Sequence, residues 1–275
     1  MQTKSYIFSF LFIILLTSRL LPQNASYFYS ESIGNFKEAS DFYISPSGLI
    51  FVTDTGNDVV IQIDTLGKII KSTGGYGWSD NSFDDPISIF VNPLYAYVSD
   101  HHNHKIKKFD RSLNLLSVFN GKESNFQEEQ FGYPLGAVVS SKGDLFILDG
   151  ENSRIVKFDY FGNYSGSFGG FNSEGEPLIK PSKISVTSED NILVLDRNKL
   201  RVYDGFGNTL YSFERNNLVD IKPASKSTIL ISPNQITFTG LNISEPEIIE
   251  PVLIDIPQNS EFISAMLLTG KLYIL

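Results

Sequence analysis

The sequence predicts an all-β fold, and three observations carry that expectation. Tyr, Phe, Val and Ile are abundant, and these residues suit pleated, half-buried strands. Short apolar runs closing on an aspartate recur at positions 54, 100, 149 and 196, at intervals of 46, 49 and 47 residues. Between them a proline recurs at 86, 134 and 181, each time just before another apolar run. A repeat of this length, made of short strands, is a small antiparallel sheet that cannot bury both faces alone. Packing such sheets radially around an axis buries them, which is a β-propeller.

Taking the elements in order, residues 1–25 read as a secretory signal. Residues 1–4 are short and basic, and residues 6–16 are an apolar run interrupted only by Ser9. Such a run fits the hydrophobic region of a signal peptide and is too short to span a bilayer. Cleavage is expected near residues 23–25. The remaining chain, 26–275, is expected to form the propeller, with no membrane span, in a secreted or periplasmic location. The chain has no cysteine, which excludes disulfides, thiolate metal sites and a lipidated N-terminal cysteine. Its net charge of -9 opposes nucleic acid as a partner.

Four units align. The apolar runs 49–54, 95–100, 145–149 and 192–196 scarcely alternate, as expected of strands buried on both faces. Asp54, Asp100, Asp149 and Asp196 then pair with Asn57, Asn103, Asn152 and Asn198 across a tight turn, where short polar side chains bond the local backbone. These eight are expected to be structural. An alternating strand follows. An Asp-x-x-Gly turn then closes three of the units, at Gly67, Gly162 and Gly207, where glycine supplies a positive φ. Phe83, Phe131 and Leu178 each precede the recurring proline, which is tolerated at a strand's first residue.

These landmarks together resemble the NHL repeat: proline, inner strand, apolar strand, Asp-x-x-Asn-x-basic-Ile, Phe-Asp, Gly. The segment Asn103-His104-Lys105-Ile106 matches it well, and the resemblance runs over residues 39–210. It implies four-stranded antiparallel blades. Six blades fit the length, at about 40–45 residues each, with five as the alternative. Beyond residue 210 the pattern decays. Residues 228–232 read as a fifth apolar strand with Ser232 in the aspartate's place, and residues 270–275 as a sixth without outer strands. Residues 26–35 are β-prone and are expected to add an outer strand to that last blade, closing the ring and hiding its edge.

Candidate chemistry is sparse. His101, His102 and His104 are the only histidines. Adjacent residues on a turn are expected to point apart, so no metal site is expected. Peptidyl-hydroxyglycine lyases, which NHL propellers resemble, hold an axial metal with histidines from several blades, whereas here one unit carries all three. Lactonase-type propellers use axial carboxylates and amides; the candidates here are Asp41, Asn92, Lys183 and Asp220, too few oxygens for the six to eight of Ca²⁺. No cofactor is expected. The long connections 75–85, 121–133 and 170–180 open on one face, and loops on a rigid scaffold are where binding concentrates. They carry Trp78, Asp80, Asp84, Asp85, Tyr133 and Phe171, the expected ligand-binding residues, and are rich in acid, Glu174 included. Glycosylation triplets begin at Asn24, Asn163 and Asn242. The expected function is a non-enzymatic binding or scaffold module for a protein, peptide or glycan. The alternative is a metal-dependent lactonase- or lyase-like enzyme with an axial site.

Overall fold

The computed structural model describes residues 26–173, 175–224, 227–240, 248–258 and 260–275. The signal region, Glu174 and the triplet at Asn242 lie outside them. A short strand β1 (Ser26–Phe28) comes first. The first blade is β2 (Ala39–Ile44), β3 (Ile50–Asp54), β4 (Val59–Ile63) and β5 (Ile69–Gly74). The second is β6 (Pro86–Val91), β7 (Tyr95–Asp100), β8 (Lys105–Asp110) and β9 (Leu115–Asn120). The third is β10 (Gly136–Val139), β11 (Leu145–Asp149), β12 (Arg154–Phe158) and β13 (Tyr164–Phe168). The fourth is β14 (Pro181–Val186), β15 (Ile192–Asp196), β16 (Lys199–Tyr203) and β17 (Thr209–Glu214). The fifth is β18 (Asp220–Ala224), β19 (Ser227–Ser232), β20 (Gln235–Thr239) and β21 (Ile248–Ile249). Then come β22 (Val252–Ile254) and a two-stranded sheet of β23 (Ala265–Leu268) and β24 (Lys271–Ile274).

All five blades are antiparallel four-stranded meanders. The first strands of successive sheets touch in the order β2, β6, β10, β14, β18, β23, and β23 touches β2. These strands therefore line the axis, as their proline landmarks predict. The second strands are buried throughout: β3, β11 and β15 have no residue outside the interior. Outer strands such as β5 and β17 alternate exposed and half-buried residues. Cores form between blades, as where Phe90, Tyr97 and Ile106 of the second meet Val138, Phe146 and Ile147 of the third. The fifth blade lacks the repeat aspartate yet keeps the fold, because Ile229, Ile231, Ile236 and Phe238 keep their places in its core. Among the described residues no helix is long and apolar enough to cross a membrane.

Two expectations need correction. Among the described residues five sheets have four strands, and the two-stranded β23–β24 sheet stands where a sixth four-stranded blade was expected. Residues 26–35 do not extend that sheet: β1 pairs in parallel with β22, Ser26 against Val252 and Phe28 against Ile254. The reason lies in side-chain packing. Tyr27 and Leu253 sit against the fifth-blade core, while Ile33 and Phe36 pack with Met266 against the first. The N-terminal segment thus straps the seam through its side chains, with its ladder bonds made to β22.

Candidate functional site

The axis is polar and already neutralised. Alternation along β18 puts Asp220 and Lys222 on one face, and alternation along β2 does the same for Asp41 and Tyr43. Lys222 Nζ lies 2.6 Å from Asp41 Oδ1 and 3.7 Å from Asp220 Oδ2, with all three side chains buried. Asp41 Oδ2 accepts from Ser88 Oγ at 3.1 Å and from the Ile89 N–H at 3.0 Å. The Ser264 hydroxyl of the two-stranded sheet region donates to Asp220 at 2.6 Å. Burial works against both charges. The Lys222 and Lys183 charges nevertheless hold the Asp41 carboxyl below its ordinary value, and Asp220 and Asp41 hold the Lys222 ammonium above its own. Of the four axial candidates, Asp41, Lys183 and Asp220 belong to this network. Asn92 does not: its Oδ1 caps a turn by accepting from the N–H groups of Leu94 and Tyr95. Lys222 is the member that sequence reading missed, although its two-residue spacing from Asp220 carried the signal.

The repeat aspartates tie each inter-blade loop to a turn of the blade it enters. Asp54 accepts from the N–H groups of Lys37 and Glu38, Asp100 from Asp84, Asp149 from Gly132, and Asp196 from Ile179 and Lys180. Asn57, Asn103 and Asn152 donate their amides to the carboxylate three residues earlier, at 2.7, 2.9 and 2.8 Å. A cation completes the clamp in three blades: Lys107 on Asp100 at 2.8 Å, Arg154 on Asp149 at 3.2 Å and Arg201 on Asp196 at 3.1 Å. In the fourth blade Asn198 donates no such amide bond; its backbone carbonyl accepts from the Arg215 N–H. Phe83, Phe131 and Leu178 are buried where each loop folds back onto the end of the preceding outer strand. There the N–H groups of Phe83, Phe131 and Leu178 donate to the carbonyls of Gly75, Gly121 and Gly169.

On the face so formed, Trp78 is 74% exposed, Tyr133 42% and Phe171 88%. Lys105 Nζ bonds the Trp78 carbonyl at 3.1 Å and pairs with Asp80 at 3.3 Å. Asp84, Asp85 and Tyr133 gather around the histidines. His102 Nδ1 lies 3.1 Å from Asp84 Oδ1 and its Nε2 lies 3.7 Å from Asp85 Oδ2. The Tyr133 ring lies 5.4 Å from His101 and 4.3 Å from His104, whose Nδ1 accepts from the Tyr133 N–H. Burial pushes the Asp85 carboxyl up, against the opposing pull of His102 and His101. The His101 and His102 rings lie 5.2 Å apart, so they do not point away from each other as adjacent turn residues were expected to. One ligand atom from each of Asp85, His101 and His102 falls within 4.8 Å of the others. Phe171 stands apart from this cluster, on the loop between β13 and β14.

Comparison with known proteins agrees with the architecture. The chain is 31% identical over 112 residues, 38% of its length, to a probable peptidyl-alpha-hydroxyglycine alpha-amidating lyase of Caenorhabditis elegans, and spans 32% of that protein. Among solved structures it resembles a streptogramin B lyase, at a TM-score of 0.58 and 14% identity, over 82% of this chain and 72% of that one. It also resembles the hydrazine synthase of Kuenenia stuttgartiensis, at 0.60 and 13%, over 89% and 75%. At such identities the likeness concerns the fold alone. Residues 131–158, from the buried Phe131 to the end of β12, match the NHL repeat, so the chain is a β-propeller carrying an NHL-type repeat.

Proposed function

We propose that this protein is an exported, non-enzymatic binding module whose ligand surface is the inter-blade loop face. The observation that supports the reading most is the contrast between the two places where a propeller binds. On the axis, Lys222 lies between Asp41 and Asp220 and already pairs with the carboxylates that a divalent ion would need. On the loop face, Trp78, Tyr133 and Phe171 are exposed on stems tied down by buried carboxylates. The scaffold beneath is read as six positions around the axis, with β23–β24 as a reduced sixth blade between β18 and β2.

Aromatic anchors amid acids suit a neutral or basic protein, peptide or glycan and repel nucleic acid. The aromatics should carry the affinity, and Asp80 and Asp84 the salt dependence. The test is an array of basic and acidic peptides and neutral and charged glycans, probed with wild type, Trp78→Ala, Phe171→Ala and Asp84→Ala. Capture of basic or neutral ligands, weakened more by Trp78→Ala than by Asp84→Ala, is expected. Capture of acidic ligands alone, or capture indifferent to both aromatic variants, would sink the reading. Similarity to the amidating lyase keeps an enzyme as the second reading. Turnover of a peptidyl-α-hydroxyglycine by the purified protein would favour it.

A further inference from the structure

We propose that Asp85, His101 and His102 form a binding site for a divalent first-row transition ion of the Zn²⁺ class, at the rim of the second blade. The inference is independent of the ligand reading above. It begins with backbone geometry. The His101 N–H donates to the Asp85 carbonyl and the His102 N–H to the Asp84 carbonyl, each at 3.1 Å. These bonds fix two histidines directly against two aspartates. Asp85 adopts a φ of 67°, a conformation that non-glycine residues rarely take. The Asp58 carboxylate of the preceding blade holds it there by accepting the Asp85 N–H at 3.0 Å.

The neighbours of each imidazole decide which nitrogen is free. His101 Nδ1 lies 3.4 Å from the Pro134 carbonyl oxygen, which only accepts, so the neutral tautomer that satisfies this contact has its proton on Nδ1 and offers Nε2 as the ligating nitrogen. His102 Nδ1 lies 3.1 Å from Asp84 Oδ1, a carboxylate that accepts its N–H in the tautomer with the proton on Nδ1, and Nε2 then faces Asp85 Oδ2 at 3.7 Å. A carbonyl or carboxylate behind each ligating histidine is the arrangement that orients metal-bound imidazoles and raises their basicity. Between His102 Nε2 and Asp85 Oδ2 the remaining displacement is small, whereas the His101 ligand atom stands within 4.8 Å of both and must move inwards by up to about 1.5 Å to complete the triad. Metal–ligand bonds of about 2.0–2.2 Å put two donors on one tetrahedral ion roughly 3.3 Å apart, a few tenths of an ångström closer than Nε2 and Oδ2 stand here.

The donor set selects the ion. Two imidazoles and one carboxylate suit Zn, Co, Ni or Cu, whereas Ca²⁺ and Mg²⁺ call for oxygen-rich cages. Three protein ligands leave a fourth position open to water or to a donor atom of a bound ligand. The His102 side chain is 52% exposed, so an ion reaches the site without opening the fold.

The experiment is calorimetric titration of untagged, EDTA-stripped full-length protein with ZnCl₂, with bound metal counted after dialysis. Co²⁺ is added separately as a spectroscopic probe. One Zn²⁺ per chain is expected, with visible Co²⁺ bands of a four- or five-coordinate N/O site. Asp85→Asn and His101→Gln keep the side-chain shapes and should weaken binding at least ~100-fold. Asp84→Asn should weaken it ~10–100-fold, as loss of an orienting partner does. His104→Gln, beside the cluster but outside the triad, should leave the stoichiometry at one. No Zn²⁺ retained by wild type would overturn the proposal. Zn²⁺ held equally by wild type, Asp85→Asn and His101→Gln would overturn it too.

Discussion

Replacing Lys222 by methionine tests whether the axis is held by charge. In the wild type Lys222 faces Asp41 at 2.6 Å and Asp220 at 3.7 Å, all three buried. Methionine keeps the volume and removes the cation between them, leaving two buried carboxylates with hydroxyl and N–H partners and, for Asp41, only the more distant Lys183 charge. Breaking a buried pair from one side costs about 3–5 kcal/mol. For a domain of this size that is a fall in Tm of roughly 10 °C. The sign of the pH response is the sharper readout. In the wild type Asp41 is held below its ordinary value. Its contribution is therefore full above the unfolded aspartate pKa of about 4 and is lost as pH falls through the lower folded value. In Lys222→Met, burial acts unopposed by Lys222 and should raise that carboxyl. The variant's deficit should then shrink as the pH is lowered towards about 4. Urea unfolding of both proteins across this range measures it. Two stability curves that stay parallel would refute the reasoning. Asp41→Asn in the methionine background should restore part of the loss at neutral pH.

Other outcomes follow from the same structure. Asp149→Ala strips partners from the Gly132 N–H, the Asn152 amide and Arg154, and should lower stability by about 1–3 kcal/mol in denaturant unfolding. Gly121→Ala should destabilise the Tyr133 loop, because a Cβ there would overlap the Phe131 carbonyl oxygen and come within 2.6 Å of its ring; faster proteolysis within residues 121–133 reports it. Met266→Ala empties the seam between β23 and the first blade and should cost about 2–5 kcal/mol, whereas Leu66→Ala, on an exposed turn, should stay within about 0.5 kcal/mol. Tyr97 is pushed up to about 12 by burial, with Tyr95 adding to it. Stability from this residue is thus full below about pH 10 and declines as pH rises through the folded value, a slope that Tyr97→Phe should remove.

What the sequence made legible was whatever repeats. The four aspartates, three prolines and the Phe or Leu before each proline mark the first four blades to within a residue or two. The fifth was visible only as an apolar run, because Ser232 cannot make the clamp; packing and the Phe262 N–H donated to the Pro233 carbonyl hold that turn instead. The N-terminal strand was misplaced because β-propensity says that a segment will pair and not with which edge. Burial of Tyr27 on one side of the seam and of Ile33 and Phe36 on the other decided in favour of β22. Asp41, Lys183 and Asp220 stood out as polar residues on axial strands. Lys222 was missed, since only the fold places it opposite Asp41. The pairing of His101 with His102 was hidden for a related reason: a turn's side chains aim where a neighbouring loop holds them, and here that is the end of loop 75–85, at Asp84 and Asp85.

The stems of the inter-blade loops carry a consequence for engineering. In the second, third and fourth blades each loop is anchored twice. At its start, Gly75, Gly121 or Gly169 receives the N–H of a buried Phe or Leu. At its end, Asp100, Asp149 or Asp196 grips the backbone just ahead of the inner strand. Residues 76–82, 122–130, 170–173 and 175–177 lie between these anchors and contribute little to the inter-blade cores. They can serve as cassettes where the replacement still offers carbonyls to Lys107, Arg154 and Arg201, which here bond those of Ser79 and Ser82, of Glu128 and Gln130, and of Glu176 and Pro177. A segment of different length or chemistry transplanted between a glycine and its partner Phe or Leu meets stems that are already closed. The same ring can therefore present unrelated recognition surfaces while its frame is left unchanged.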